Sequence, residues 1–444
     1  MSRKFFGTDG IRGRAGEHPI TTEFAEQLGR ALVRVLRKGE PVVAIGRDTR
    51  ASGPALEEAL ARGISGAGGR VRLLGVLPTP GVAAYAREHD LAAGAVISAS
   101  HNPADDNGIK FFWGDGFKLP DEAEEAIEAE IGESGDANAR AGTITEATDA
   151  LDFYIDHALR SLPDTFSLRG LSIAVDCANG AAFRATPRAL ERLGADTHVF
   201  HAGPDGNNIN LGCGSTIPGE IGRLVRESGA QVGLAHDGDA DRLLLCDETG
   251  DPLDGDELLL MAGLDLLGRG ELAGNTIVAT VMSNLGLDEA MENAGGKVVR
   301  AAVGDRYVLE AMRGGGYVLG GEQSGHMIFL RHGTTGDGLV AALQILRLMV
   351  ESGKTLGELR KVLKKYPQAQ RAVAVKSKPP LESLPGVAKA MAEAGRAVEP
   401  RGRVLVRYSG TEPKLRILLE GRDPDALEKH ADAVAEAVRE AIGS

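Results

Sequence analysis

One short stretch of the sequence, GAVISASHNP at residues 94–103, brings several reactive side chains together. An apolar run ends at Ile97 and is followed at once by Ser98, Ser100 and His101. Because such a run is typical of a buried strand, the hydroxyls and the imidazole should lie in a tight turn at its end. A capped turn would explain these residue types, and so would a nucleophile placed at a strand end. In the second interpretation Ser100 attacks and Ser98 is a turn hydroxyl.

A second stretch, HDGDADRLL at residues 236–244, alternates three carboxylates with small residues. Asp237, Asp239 and Asp241 would repel one another in a tight loop unless a cation neutralised them, and hard oxygen ligands suit Mg2+ or Ca2+. An EF-hand is disfavoured because the sixth loop position is Arg242, where that motif requires glycine. The sequence therefore predicts a divalent metal site rather than a hydrogen-bonded acidic turn.

A serine and carboxylate-bound metal together suggest phosphoryl transfer, which depends on positioning and on neutralising charge around the moving group. A phosphorylated Ser100 would carry about −1.5 to −2 charge and would provide a further ligand for the metal. Lys110 follows closely in the sequence, and a lysine with a lowered pKa serves as an acid or a base. His101 could orient or share protons, although a turn cap is an equal alternative for that residue.

The stretch RYSGTEPKLRI at residues 407–417 combines a glycine turn with hydroxyls and guanidinium groups between two predicted strands. Exposed backbone N–H groups and arginines of this kind make a phosphate cradle. The alternative is a hairpin with ordinary surface charges, which the local excess of donors in an acidic chain argues against. The predicted cradle residues are Arg407, Ser409, Gly410, Thr411 and Arg416.

Two glycine-rich stretches carry weaker signals. In GGEQSGH at residues 320–326, Glu322 and Ser324 alternate, so both could face one cleft and bind vicinal sugar hydroxyls or an amine. FGTDGIRG near the N-terminus is a glycine-punctuated loop in which Arg12 could hold a phosphate.

The elements that must position these motifs recur along the chain. Each of the stretches 41–50, 171–180 and 275–284 begins as a buried strand, passes through a polar turn, and leads into an amphipathic helix and a second strand. This alternation predicts βαβ units and parallel or mixed sheets, and the continuous apolar runs predict sheets covered on both faces. After about residue 364, two strands around a turn followed by one helix predict a small α+β domain.

Composition limits the classes of function. The 444 residues suggest two to four domains, and the net charge of −13 argues against general nucleic-acid affinity. Three scattered cysteines, Cys177, Cys213 and Cys246, offer no zinc spacing and fit a reducing compartment. Neither a signal peptide nor an apolar stretch of the roughly 18 residues that span a bilayer is recognisable, so we expect a cytoplasmic protein.

Taken in order, ISASHNP, DGDADR, GGEQSGH and RYSGTEPKLRI resemble the phosphoserine, metal-binding, sugar-binding and phosphate-binding loops of the α-D-phosphohexomutase superfamily. The resemblance covers nearly the whole chain. It implies an α/β fold of three similar α/β/α mixed-sheet domains plus a smaller α+β C-terminal domain around a central cleft. The expected domains, which carry those four loops in turn, are 1–153, 154–254, 255–367 and the lid domain 368–444.

The resemblance also implies an isomerase that works through a phosphoserine enzyme. Phosphorylated Ser100 would pass its phosphoryl group to a sugar phosphate, and the bisphosphorylated sugar would turn over and return its other phosphate. FGTDGIRG and Gln323 look most like superfamily members acting on glucosamine phosphate, which implies interconversion of glucosamine 6-phosphate and glucosamine 1-phosphate on the route to UDP-N-acetylglucosamine. Glucose or mannose phosphate, a Mg2+ phosphatase and a non-catalytic sugar-phosphate sensor are the alternatives.

Under this resemblance each site residue has a role. One Mg2+ per chain is held by Ser100 and the three aspartates, while Arg12 and Arg242 stabilise the moving group and Lys110 and His101 act as acid and base. Glucosamine 1,6-bisphosphate is the intermediate or activator. The partner is a small sugar phosphate, with no nucleic acid or membrane, and a homodimer is plausible. The implied substrate-binding residues are Gly304, Asp305, Arg306, Glu322, Ser324, Arg407, Ser409, Gly410, Thr411 and Arg416.

Overall fold

The computed structural model describes residues 4–36, 39–133, 140–409 and 413–443. Strands and helices alternate over most of this chain. The strands are β1 (Ile11–Arg14), β2 (Val42–Arg47), β3 (Arg70–Val76), β4 (Ala93–Ile97), β5 (Asp106–Trp113), β6 (Ile144–Glu146), β7 (Ser172–Asp176), β8 (Asp196–Phe200), β9 (Val232–His236), β10 (Leu243–Cys246), β11 (Pro252–Leu253), β12 (Thr276–Thr280), β13 (Lys297–Ala301), β14 (Leu319–Gly321), β15 (Met327–Phe329), β16 (Gln368–Ala374), β17 (Arg403–Tyr408) and β18 (Lys414–Glu420). The helices are α1 (Thr22–Leu36), α2 (Gly53–Gly66), α3 (Thr79–Glu88), α4 (Asp121–Glu130), α5 (Ala150–Leu159), α6 (Ala185–Arg192), α7 (Pro218–Ser228), α8 (Gly255–Gly268), α9 (Gly286–Asn293), α10 (Asp305–Gly315), α11 (Gly338–Ser352), α12 (Leu356–Leu359), α13 (Pro385–Val398) and α14 (Pro424–Ile442).

Local sequence explains several helix ends. Asp254 and Glu257 form a reciprocal capping box at the start of α8, each side chain accepting a backbone N–H from the other residue. Asp337 caps α11 by accepting the backbone N–H of residues 339 and 340. Gly229 ends α7 with a φ of 69°, a left-handed conformation that glycine adopts without strain. Among the described residues, no helix is long and apolar enough to cross a membrane.

The first three sheets are mixed, as predicted. Their strand orders are β1-β5-β4-β2-β3-β6, β11-β10-β9-β7-β8 and β13-β12-β14-β15. In each sheet the strands of the predicted βαβ repeat are parallel neighbours, namely β2 with β3, β7 with β8, and β12 with β13. The central strands β4, β9 and β12 are buried along their whole length, which fits sheets covered on both faces. The fold class of three α/β sheets plus a smaller C-terminal part is confirmed.

Contacts divide the chain into two compact units. The first comprises Met1–Met282 and Ala294–Val362, and the second comprises Ser283–Asn293 and Leu363–Ser444. The segment that carries α9 therefore belongs to the second unit, although α9 connects β12 to β13 in sequence. Two hydrogen bonds fix it there: Asn284 donates to the Tyr366 carbonyl (3.0 Å) and the Leu285 N–H donates to Glu420 (2.9 Å). The four domain boundaries stay a prediction.

The C-terminal sheet is larger than predicted. It has three antiparallel strands in the order β16-β18-β17, and α13 and α14 pack with it around a shared apolar core. The sequence prediction of two strands and one helix was incomplete because it omitted β16 and α13. β16 mixes polar residues with alanines and only two of its seven residues are buried, and α13 is rich in alanine and glycine, so neither gives a strong periodic apolar signal.

Candidate active site

The predicted nucleophile lies just beyond the end of β4. Ser100 is 2 % exposed and has a φ of 52°, a conformation that residues with a side chain adopt at a cost of about 1–3 kcal/mol. Its Oγ donates a hydrogen bond to Asp237 Oδ2 at 2.6 Å, and His101 Nδ1 lies 3.3 Å from the same oxygen. The structure therefore brings the serine and the first predicted metal carboxylate into direct contact.

The three aspartates occupy the turn between β9 and β10. All three are buried, and oxygens of Asp237, Asp239 and Asp241 lie within 4.8 Å of one another. One oxygen of Asp239 and one of Asp241 accept no hydrogen bond from any described residue. Burial and the two neighbouring carboxylates raise the pKa of Asp237 to about 7. An all-oxygen donor set with unsatisfied buried atoms and mutual repulsion fits a hard divalent cation, which would relieve both costs.

Lys110 lies on β5, opposite Val96 of β4, and faces the same carboxylates. Its Nζ donates to Asp239 Oδ2 at 2.8 Å and lies 3.7 Å from Asp241 and 3.8 Å from Asp9. Burial opposes the charged form, but the carboxylates outweigh it and hold the pKa of Lys110 above its usual range. The expectation of a lowered pKa was thus wrong for this arrangement, because three anions surround the ammonium group.

Two arginines border the serine and the aspartates. Arg12 on β1 donates to the Ala99 carbonyl at 3.4 Å, and Arg242 Nε lies 4.0 Å from Asp241. Burial and these two guanidinium groups lower the pKa of His101 to about 4. His101 is therefore neutral near pH 7, and the two arginines provide positive charge beside the serine.

Asp9, Lys118 and His326 extend the site toward the predicted sugar loop. Lys118 is ion-paired with both Asp9 and Asp305. His326 lies between carboxylates, with Nδ1 3.6 Å from Asp241 and Nε2 3.7 Å from Asp305. From the sequence, no role was assigned to Asp9, Lys118 or His326, although Asp9 lies in FGTDGIRG and His326 in GGEQSGH, because their partners come from distant parts of the chain.

The residues predicted to bind the sugar have different surroundings in the structure. The Gly304 N–H donates to Glu322 Oε1 at 3.1 Å, at a glycine whose φ of 127° few other residues adopt. Ser324 is exposed. Arg306 pairs with Glu124 of α4 at 2.9 Å rather than with the sugar loop. The structure therefore joins Gly304 to Glu322 and places Arg306 against another helix.

A buried arginine is hydrogen-bonded to the backbone of the loop that contains Ser100. Arg50 is fully buried and donates to the carbonyl oxygens of Ser100 (2.9 Å) and Asn102 (2.8 Å), while its Nε donates to Asp48 (2.9 Å). Asn210 also donates to the Ser100 carbonyl, at 2.9 Å. The sequence pattern did not single out either residue, because each lies far from Ser100 along the chain.

The predicted phosphate cradle lies in the C-terminal sheet. Arg407 of β17 and Arg416 of β18 are directly opposite each other in the register. Burial and the facing Arg416 lower the pKa of Arg407, and its buried Nε donates to no acceptor among the described residues. Ser409 is buried, whereas Gly410 and Thr411 lie outside the described residues. Two guanidinium groups facing each other form a place where an anion would be stabilised.

Comparisons with known families agree with this arrangement. The chain matches the four families described as phosphoglucomutase/phosphomannomutase alpha/beta/alpha domains I, II and III and C-terminal domain. The matched residues are 3–137, 152–250, 254–366 and 370–437.

Individual relatives match over their full length. The chain is 50% identical to the phosphoglucosamine mutase of Anaeromyxobacter dehalogenans, with 100% of both chains covered. It is 48% identical to that of Syntrophotalea carbinolica, covering 100% of this chain and 99% of the relative. A phosphoglucomutase/phosphomannomutase family protein from Burkholderia thailandensis has a similar crystal structure, with a TM-score of 0.82, 25% identity, and 99% and 98% of the two chains covered.

Proposed function

The chain belongs to the phosphoglucomutase/phosphomannomutase family of isomerases, and on that premise we propose that it interconverts glucosamine 6-phosphate and glucosamine 1-phosphate. The contact that carries the proposal is the 2.6 Å hydrogen bond from Ser100 Oγ to Asp237, because it joins a nucleophile to the metal loop. The full-length relatives named phosphoglucosamine mutase support the choice of substrate.

The reaction begins with a phosphoryl group on Ser100 Oγ. The bond from phosphorus to Oγ breaks, a bond to the free sugar oxygen forms, and the sugar hydroxyl loses its proton. The neutral His101 imidazole, with Nδ1 3.3 Å from Oγ, is placed to take up that proton and pass it to the serine oxygen. The same steps in reverse, with the sugar turned over, transfer its other phosphate back to the serine, so that neither phosphate nor protons are consumed overall.

The three aspartates and the serine phosphate would hold one Mg2+, which neutralises charge on the transferring group. Arg12 and Arg242 stabilise the same charge from the protein side. Lys110 is held protonated by these carboxylates, and an ion that shared them would weaken their effect on its pKa and allow Lys110 to act as base as well as acid. Lys110 can then exchange the proton of the sugar hydroxyl.

The remaining predicted residues bind the parts of the substrate that do not react. We assign Glu322 and Ser324 to the sugar hydroxyl and amino groups, with Gly304 holding Glu322 in place at 3.1 Å. The cradle residues Arg407, Ser409, Gly410, Thr411 and Arg416 bind the non-reacting phosphate. Asp305 and Arg306 border the substrate, and glucosamine 1,6-bisphosphate is the intermediate.

The test compares three substrates side by side. Glucosamine 1-phosphate, glucose 1-phosphate and mannose 1-phosphate are supplied with Mg2+, and kcat/KM is measured for each 6-phosphate product. We expect glucosamine 1-phosphate to be preferred by at least about tenfold, since a site that pairs with an amino group rejects analogues lacking it.

Equal or greater turnover of glucose or mannose phosphate would retain the chemistry and overturn the choice of sugar. No isomerisation with any of the three, in protein that carries phosphate on Ser100, would overturn the proposed reaction for these substrates.

A further inference from the structure

Outside the active site, three unlike donor groups meet at the carboxyl end of β7. Asp176 ends β7, His201 directly follows the parallel strand β8, and Cys213 lies in the segment before α7. Their oxygen, nitrogen and sulfur atoms lie within 4.8 Å of one another. Asp176 and Cys213 are fully buried and the His201 side chain is 29% exposed, so the group is buried yet reachable from solvent.

The carboxylate of Asp176 raises the pKa of His201, so without a metal the two side chains form an ion pair. His201 Nδ1 lies 3.1 Å from Asp176 Oδ1, yet this buried nitrogen is hydrogen-bonded to none of the described residues. Two ligands of one tetrahedral Zn2+, with bonds of about 2.0–2.1 Å, lie roughly 3.3 Å apart without pointing at each other. The separation of the two atoms is therefore compatible with two ligands of one metal ion.

The surroundings of these atoms have the supporting contacts of a metal site. The other ring nitrogen of His201 faces Glu220 Oε1 at 3.5 Å, as in the carboxylate–histidine pairs that orient metal ligands. The backbone N–H groups of Ala178 (2.9 Å) and Gly214 (2.7 Å) donate to Asp176 and fix its carboxylate. Histidine and carboxylate are thus both held by second contacts.

We propose that Asp176, His201 and Cys213 form a second metal site, which takes a borderline divalent cation such as Zn2+. A carboxylate and a thiolate balance the two positive charges, and the neutral imidazole is the third ligand. Binding displaces the thiol proton to solvent, and water completes the coordination. Sulfur and nitrogen donors disfavour Mg2+, so this site and the three aspartates select different cations.

A metal ion at this position would also affect the active site. His201 and Cys213 bracket the segment that contains Asn210, whose side chain donates to the Ser100 carbonyl at 2.9 Å. A metal that ties both ends of this segment to β7 restrains Asn210 and, through it, the serine loop. The sequence pattern gave no sign of the site, because its ligands come from three separated elements.

The test uses the full-length protein, stripped with a chelator and then dialysed against excess Mg2+. Co2+ is titrated in as a probe, and the near-ultraviolet thiolate-to-cobalt absorption is recorded. We expect the band to saturate at one Co2+ per chain and Zn2+ to remove it. Only a site with a thiol gives this band, so the three aspartates do not contribute.

Variants assign the ligands. Cys213→Ser should abolish the band, while Cys177→Ser, a matched change at another buried thiol, should leave it intact. Glu220→Gln should weaken Co2+ binding by about 10–100-fold. His201→Asn is a second test of the ligands, for use if Cys213→Ser fails to fold, and it should also lose the band. Asparagine is chosen because it tolerates the φ of 46° at this position.

Absence of the band in folded wild-type protein, with His201 and Asp176 forming an ion pair only, would overturn the proposal. Loss of the band in Cys177→Ser but not in Cys213→Ser would overturn it as well.

Discussion

At the scale of single residues, the backbone at Ser100 and the charge at Asp237 oppose the stability of the fold. Ser100 adopts a left-handed conformation, and Asp237 is buried next to two further carboxylates. Strain and unsatisfied charge persist at one place when the surrounding structure determines them and the chemistry uses them. A cation held by the three aspartates would offset the charge at Asp237.

We expect Ser100→Ala to carry no phosphate and to lack mutase activity, because no other hydroxyl contacts Asp237 in the described site. Intact-protein mass of the purified wild type should show a fraction heavier by one phosphate. Ser65→Ala is the matched control, since Ser65 is also buried but donates to the Gly142 carbonyl instead, at 2.7 Å. Mutase activity in Ser100→Ala would remove the covalent role.

At the scale of elements, the sequence alone was sufficient to predict a candidate site loop wherever an apolar strand ends in a polar loop. The loops containing Ser100, Asp237 and Glu322 could be predicted because each combines a local apolar run with reactive residue types. Ser100 and Asp237 are 137 positions apart in the sequence, so their contact depends on the topology of two sheets. Arg50 could not be recognised, because apart from Asp48 its partners are backbone carbonyl oxygens, which no sequence pattern marks.

Arg50 should act as a positioning residue for the serine loop. Lysine retains the charge in Arg50→Lys but cannot reproduce a planar fork that contacts several carbonyl groups at once. We expect kcat to fall by about 100-fold with KM little changed, since small displacements of a reacting group have effects of this size. Less phosphate on Ser100 should accompany the loss.

Arg47→Lys provides the control, because Arg47 ends β2 three residues before Arg50 and pairs with Glu57 at 3.1 Å. A parallel loss of kcat in that variant, or a normal kcat in Arg50→Lys, would assign Arg50 to stability alone. Thermal midpoints of both variants separate folding from positioning.

His332, in the segment after β15, gives the fold a dependence on pH. Burial, Arg347 of α11, His157 of α5 and Arg331 lower its pKa from 6.5 to about 4, against an opposing effect of Glu271. Between these values the unfolded chain binds a proton that the folded protein does not, so this contribution to stability is complete above pH 6.5 and is lost as the pH falls toward 4.

We therefore expect wild type to lose about 2 kcal/mol more stability than His332→Gln between pH 7 and pH 4.5, a value reduced for partial exposure of the ring. Denaturant unfolding at both pH values measures the difference. An equal loss in both proteins would show that the histidine does not titrate in this way.

At the scale of the whole molecule, charge is distributed unevenly. The net charge is −13, yet arginine and lysine side chains are gathered at the candidate site and in the C-terminal sheet. An acidic protein can bind a doubly anionic sugar when guanidinium groups set the local field. The facing pair Arg407 and Arg416 is an example, since an anion bound there would offset the repulsion between the two guanidinium groups.

Arg407→Met should therefore separate binding from stability. Removing one of two facing like charges should leave the thermal midpoint unchanged or higher, whereas losing a charged hydrogen bond to phosphate should raise KM for the sugar phosphate by about 10–100-fold. Arg371→Met is the control, because Arg371 on β16 pairs with Glu428 (2.6 Å) and Asp432 (2.7 Å) of α14. We expect that variant to lose stability and keep its KM. An unchanged KM in Arg407→Met would place the phosphate elsewhere, and a lowered thermal midpoint would mean that Arg407 supports the sheet itself.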